Sequence, residues 1–140
     1  MKIVETRDIT DILKCIPMEL EIRKKGRDIM PIRDTLSLLK QNFESNPCFR
    51  FYMIYADNSE KLIGYFGIIV RPEKEIRTIH LYRIWYDGTK EVIEKIKETI
   101  REIAKTTKCR RLTVEVYDNE KALERLYGFK KHSTIMVRRI

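Results

Sequence analysis

At 140 residues, 43% hydrophobic and 36% charged, the chain has the length and balance of one folded domain, residues 1–140, that buries a core without staples. No apolar run approaches the roughly 18 residues a membrane helix needs, and "MKIVETRDIT" lacks the apolar stretch of a secretory leader, so a cytoplasmic protein is expected. The formal net charge of +8 sits mainly in the second half: residues 1–70 carry 11 Lys/Arg against 10 Asp/Glu, and residues 71–140 carry 18 against 11. An anionic partner is expected there: a phosphate-bearing cofactor, nucleic acid or an acidic surface.

In chain order, Lys2–Thr6 ("KIVET") predicts a short strand. Asp8 can cap a helix with Asp11 in its first turn, and Ile9, Ile12, Leu13 and Ile16 recur at helical spacing until Pro17 interrupts or kinks the element. "EIRKKGRDIMPIRD", with Gly26 and Pro31, reads as a loop. A helix from about Asp34 then puts Leu36, Leu39 and Phe43 on one face and stops near Asn46-Pro47. "CFRFYMIYAD" alternates as a strand, Asp57-Asn58-Ser59 turns, and the near-continuous apolarity of "LIGYFGIIV" predicts a strand buried on both faces. After the charged turn through Glu73 and Glu75, "IRTIHLYRIWY" completes an antiparallel meander. Val92, Ile93, Ile96, Ile100, Ile103 and Ala104 then form the apolar stripe of a helix from about Thr89 to Thr106. "RRLTVEVYD" is a strand, "NEKALERLY" a short helix and "STIMVRRI" a last strand. The order β-α-α-β-β-β-α-β-α-β predicts an α/β fold with a mixed sheet, the long helix crossing between two parallel strands.

Cys15, Cys48 and Cys109 are three, far apart, and have no CxxC or Cys/His spacing, so reduced thiols are expected, with neither disulfides nor a metal site. His80, whose ordinary pKa lies near working pH, alternates with Thr78, Tyr82 and Ile84 and is the best candidate base; a hydrogen-bonded structural histidine is the plainer reading.

That order, with "LIGYFGI", "IHLYRIWY" running into "KEVIEKIKETIREIAK", "RRLTVEVYDNEKA" and "LYGFKK", resembles the GNAT N-acetyltransferase superfamily over essentially the whole chain. The resemblance implies the GNAT-like acyl-CoA N-acyltransferase fold and acetyl transfer from acetyl-CoA to an amine. It implies further that backbone groups of Ile84 and Tyr86 hold the pantetheine arm, that N–H groups of Gly88, Thr89 and Lys90 take the phosphates, and that Asn119 starts the last helix. N–H groups opening a helix lack internal partners and favour an anion, which is why such a loop works. Here the loop is degenerate. "IWYDGTKEV" has the single glycine Gly88, no matching Arg or Gln, an acidic Asp87, and roughly two or three residues fewer than the family's loop. A tight Asp87-Gly88-Thr89 turn with a self-capped helix is the alternative.

By the same resemblance Tyr127 is the acid that protonates the leaving thiolate. It directly precedes Gly128, out of the family's register on a shortened helix, and one residue is a rotation of about 100°. Core packing is therefore its other reading. Two functions follow: an acetyl-CoA-dependent N-acetyltransferase acting on a small-molecule or protein amine, or a catalytically inactive GNAT-fold binding protein. A homodimer is compatible with either. No nucleic-acid-reading motif accompanies the basic residues, so they read as a solvated surface.

Overall fold

The computed structural model describes residues 1–24, 31–57, 59–72, 76–87, 89–114 and 120–130. Expectations resting on Gly88, Asn119, the Glu73–Glu75 turn and the strand over 133–140 lie outside them.

Strand β1 (Lys2–Thr6) leads into a 3-10 helix over Ile9–Cys15, capped by Asp8, whose carboxylate accepts from the Thr10 N–H at 2.9 Å. Helix α1 (Ile16–Lys24) follows without a break. Pro17 was expected to interrupt the helix, and residues from 21 onward to form a loop; instead Pro17 opens α1. Its missing N–H falls in the first turn, where that group has no intrahelical acceptor anyway. Helix α2 (Ile32–Ser45) starts behind Pro31, slightly earlier than its polarity suggested.

Strands β2 (Phe49–Tyr55), β3 (Leu62–Pro72) and β4 (Arg77–Tyr86) form the antiparallel meander. Helix α3 (Lys90–Thr107) crosses from β4 to β5 (Arg111–Val114), and these two strands pair in parallel. Helix α4 (Glu120–Tyr127) closes the described chain. The sheet order among the described residues is β1-β2-β3-β4-β5. No described helix is long and apolar enough to cross a membrane.

Apolar alternation fills both faces of the sheet. On one, Ile12, Cys15 and Leu39 of the helical N-terminal segments cover Phe49, Phe51, Met53 and Tyr65. On the other, the stripe Val92, Ile96, Ile100 and Ile103 of α3 lies against Tyr52, Ile54, Phe66, Ile68, Val70, Ile79 and Leu81. Thr89 caps α3 as expected, its hydroxyl accepting from Val92 N–H at 3.4 Å. Lys108 ends that helix in the left-handed region, at φ 58°, and Gly128 ends α4 at φ 71° with its N–H bonded to the Glu124 carbonyl. Gly128 meets no steric cost there, which explains the abrupt stop after Tyr127.

One irregularity positions everything that follows. Ile68 pairs with Leu81 and Gly67 with Arg83, so β4 runs one residue longer than β3 at Tyr82. This bulge resets the alternation of the strand. Beyond it the tail of β4 is pinned to β3: Asp87 N–H donates to the Ile63 carbonyl at 2.8 Å, and Gly64 sits opposite Tyr86. A Cβ on Gly64 would come within 2.7 Å of the Trp85 carbonyl oxygen and 2.9 Å of Tyr86 Cβ. Because the first obstacle is backbone, Gly64→Ala is expected to cost about 1–3 kcal/mol. Urea unfolding would show it as a lower midpoint at an unchanged slope.

Candidate active site

Before the bulge, His80 pairs with Ile69, a residue packed on the α1/α2 face, and with Thr113 on β5. Its ring is buried, and Nδ1 lies 2.9 Å from Thr113 Oγ1. Two residues earlier on the strand, Thr78 Oγ1 accepts from Arg111 Nε at 3.1 Å. Side chains thus clamp β4 to β5 along the short parallel ladder, whose last described rung is Leu81–Val114.

After the bulge the pattern differs from the expected one. Alternation from His80 put Ile84 on the same face as His80 and Tyr82. In the structure Tyr82 and Trp85 pack on the α1/α2 side, whereas Ile84 and Tyr86 join the α3-side core. The extra residue at Tyr82 is the physical reason.

Tyr127, from the last turn of α4, packs against that same α3-side core together with Tyr86, Ile84 and Val114. Lys97 of α3 sets its ammonium 5.7 Å from the centroid of the Tyr127 ring and is itself held by Glu94 at 3.4 Å. The Tyr127 Oη is buried, and no described group meets it in hydrogen-bonding geometry. Burial drives its pKa far above the ordinary 10.0; the nearby Tyr86 hydroxyl and the Glu94 carboxylate push the same way. This phenol stays protonated throughout the working range. It is a hydrogen-bond and proton donor with the Tyr86 hydroxyl as its polar neighbour, outside good hydrogen-bonding geometry.

The start of α3 lies just past the β4 tail. The Thr89 hydroxyl takes the Val92 N–H, so the helix is partly self-capped, while the N–H groups of Lys90 and Glu91 have no acceptor among the described residues. Lys90 contributes a cation, and Asp87 and Glu91 contribute carboxylates.

The structure thus packs Ile84, Tyr86 and Tyr127 against one core cluster, while Thr89 and Lys90 open α3 a few residues beyond Tyr86. It does not bring His80 to them. His80 is on the opposite face and six residues back from Tyr86, a Cα separation on the order of 15–20 Å at the rise of a strand. Among the described residues no group of three or more His, Cys, Asp or Glu is placed to hold a metal ion.

Sequence reasoning missed a buried carboxylate on the other face. Glu19, in the first turn of α1, is fully buried and accepts a hydrogen bond from the Tyr65 hydroxyl. The Tyr65 ring is stacked between Phe51 at 5.7 Å and Trp85 at 6.4 Å, which ties α1 to the β4 tail. The spacing Ile12, Cys15, Glu19 on one inward face was the available signal; it was obscured by reading Pro17 as a break.

Cys15 shares this environment. It is fully buried, and its thiol is pushed up to about 12 from the ordinary 9.0, first by burial and then by the Glu19 and Asp11 carboxylates. The folded state holds this proton longer than the unfolded chain does. The resulting stability is complete below pH 9.0 and is lost as pH rises towards about 12. Tyr127 acts in the same sense from pH 10.0 upward. The urea midpoint should therefore fall steadily above pH 9, and Cys15→Val should flatten that decline. A midpoint independent of alkaline pH would contradict the placement of both groups.

The sequence matches no protein-family model and no curated protein. Solved structures do resemble it along its whole length. One described as a probable acetyltransferase superposes with a TM-score of 0.73 at 16% identity, covering 100% of this chain and 97% of that one. The ribosomal-protein-alanine N-acetyltransferase of Brucella melitensis biovar Abortus 2308 gives 0.70 at 13% identity, covering 99% of each chain. A predicted acetyltransferase from Clostridium acetobutylicum, solved with acetyl-CoA, gives 0.70 at 13%, covering 99% and 95%. The chain has the mixed α/β fold of the GNAT acetyltransferases.

Proposed function

We propose that the protein is an N-acetyltransferase that takes its acetyl group from acetyl-CoA and passes it to an amine. The observation that carries this reading is the Tyr127 Oη, buried and without an acceptor among the described residues, at the end of β4 in an acetyltransferase fold. A buried hydroxyl left unsatisfied costs about 1–3 kcal/mol, and a ligand that accepts its hydrogen bond removes that cost. The groups present fit acetyl-CoA: a donor at Tyr127, two N–H groups and a lysine at the start of α3, and apolar Ile84 and Tyr86 between them. On this reading Ile84 and Tyr86 hold the pantetheine arm, Thr89 and Lys90 the phosphates, with Gly88 and Asn119 completing the site.

Acetyl-CoA supplies an activated thioester whose carbonyl an amine can attack. Tyr127, kept neutral by burial, delivers its proton where thiolate charge develops, which is general acid catalysis. Lys97 over its ring favours the charge that Tyr127 then carries. His80, bonded to Thr113 on the opposite face of the sheet, does not reach this site, so on this reading the proton of the attacking amine leaves to solvent. The amine is a small molecule or a protein amine.

Incubation with acetyl-CoA and a panel of small amines and peptides, followed by mass spectrometry, tests the proposal: an adduct 42 Da heavier (the mass of an added acetyl group) on one amine supports it. A second reading, an inactive binding protein, rests on the Thr89 hydroxyl that occupies one N–H of the α3 terminus. It is supported instead if acetyl-CoA binds and no amine on the panel is modified.

A further inference from the structure

A phenol kept neutral by burial is a reluctant acid, because parting with its proton alone leaves a phenolate where water does not solvate it. Tyr127 is in that position: its Oη is the only buried side-chain polar atom without a hydrogen-bond partner among the described residues. The charges beside it offset little of the cost. Lys97 stands over the ring, 5.7 Å from its centroid, rather than at the hydroxyl, and the Glu94 carboxylate that holds Lys97 at 3.4 Å opposes a phenolate.

Tyr86 and Tyr127 pack against the same α3-side core, and the Tyr86 hydroxyl is the polar neighbour of Tyr127 Oη. Tyr86 is only partly buried, at the last residue of β4 and next to the exposed Asp87. Its place is fixed on both sides: a Cβ on Gly64 would come within 2.9 Å of Tyr86 Cβ, and Asp87 N–H ties the strand end to the Ile63 carbonyl at 2.8 Å. A hydroxyl both donates and accepts, so two in a row can pass a proton along. Such contacts commonly tighten only around a reacting substrate. We propose that Tyr86 is the proton relay of Tyr127: as the leaving thiolate takes the Tyr127 proton, Tyr127 takes that of Tyr86, and Tyr86 takes one from solvent. One S–H bond forms, each O–H bond broken on the two tyrosines is remade, and negative charge does not come to rest on the buried oxygen. The relay rests on the acetyl-transfer reading and adds to it the route by which the acid is resupplied.

The test compares the intact protein with its Tyr86→Phe variant, which keeps the ring and loses the hydroxyl. In single-turnover acetyl transfer from acetyl-CoA to an amine of the panel, the rate is expected to fall about tenfold, with acetyl-CoA affinity within about threefold. Rates in mixtures of light and heavy water should curve for the parent protein, because more than one proton moves in the step, and run straight for the variant. A ring placed only for packing would alter neither plot. Independently of activity, the ζ-carbon NMR signal of Tyr127 should move in the variant, while those of Tyr65 and Tyr82, on the other face, stay in place. An undiminished rate, a straight plot for the parent protein, curvature kept in the variant or an unmoved Tyr127 signal overturns the relay alone. If the parent protein modifies no amine on the panel, the acetyl-transfer reading fails and the relay with it.

Discussion

Tyr127→Phe is expected to lower acetyl transfer about 100-fold while leaving acetyl-CoA affinity within about threefold, the pattern of a lost general acid. The same substitution should not destabilise the fold. The hydroxyl it removes is buried and unpartnered among the described residues, and the ring that packs beside Tyr86 and Val114 is retained. Replacing an unsatisfied polar group by an apolar one of the same shape is neutral or stabilising. Turnover assays and thermal melts on one preparation therefore separate the two readings of this residue. Activity lost at an equal or higher midpoint assigns Tyr127 to the reaction; activity retained at an equal or higher midpoint assigns it to packing.

The largest expected loss of stability is at Tyr65. Its side chain is fully buried, stacked between Phe51 and Trp85, and its hydroxyl donates to the buried Glu19. Tyr65→Ala removes the ring from both stacks and takes a donor from a carboxylate out of reach of water. Loss of a large aromatic side chain from a core costs about 3–5 kcal/mol, and the lost hydrogen bond to Glu19 adds to that. Domains of this size are stable by about 5–15 kcal/mol, so the variant should lose a large share of its stability. Tyr65→Phe keeps the stacking and loses only the donor, for about 1–3 kcal/mol. Urea midpoints for the pair measure the ring and the hydrogen bond separately. Equal losses for Ala and Phe would mean that the carboxylate contact, not the packing, dominates.

Most of the architecture was readable because it rests on periodicity. The α3 stripe, the antiparallel meander and the parallel return to β5 follow from apolar spacing, and Thr89 and Asp8 cap where their chemistry suggests. What spacing could not supply was the bulge at Tyr82. A strict period of two has no room for an extra residue, and nothing in "HLYRIWY" marks one, so Ile84 was assigned to the wrong face of β4. Pro17 misled for a related reason: a proline marks a break inside a helix and a start at its first turn, and the sequence alone does not say which. Tyr127 shows the limit from the other side. Its neighbourhood on α4 was legible, but its exposure, its Lys97 neighbour and its unanswered hydroxyl depend on how α4 meets α3, which is a tertiary matter.

The site as a whole depends on whether the partly self-capped start of α3 and the buried phenol of Tyr127 accept acetyl-CoA. Isothermal titration of the protein with acetyl-CoA, repeated on Lys90→Glu, addresses that directly. Saturable binding with a micromolar Kd, weakened about tenfold by the charge reversal at Lys90, is the predicted result. No heat of binding at high micromolar acetyl-CoA, from protein that melts cooperatively, would contradict it.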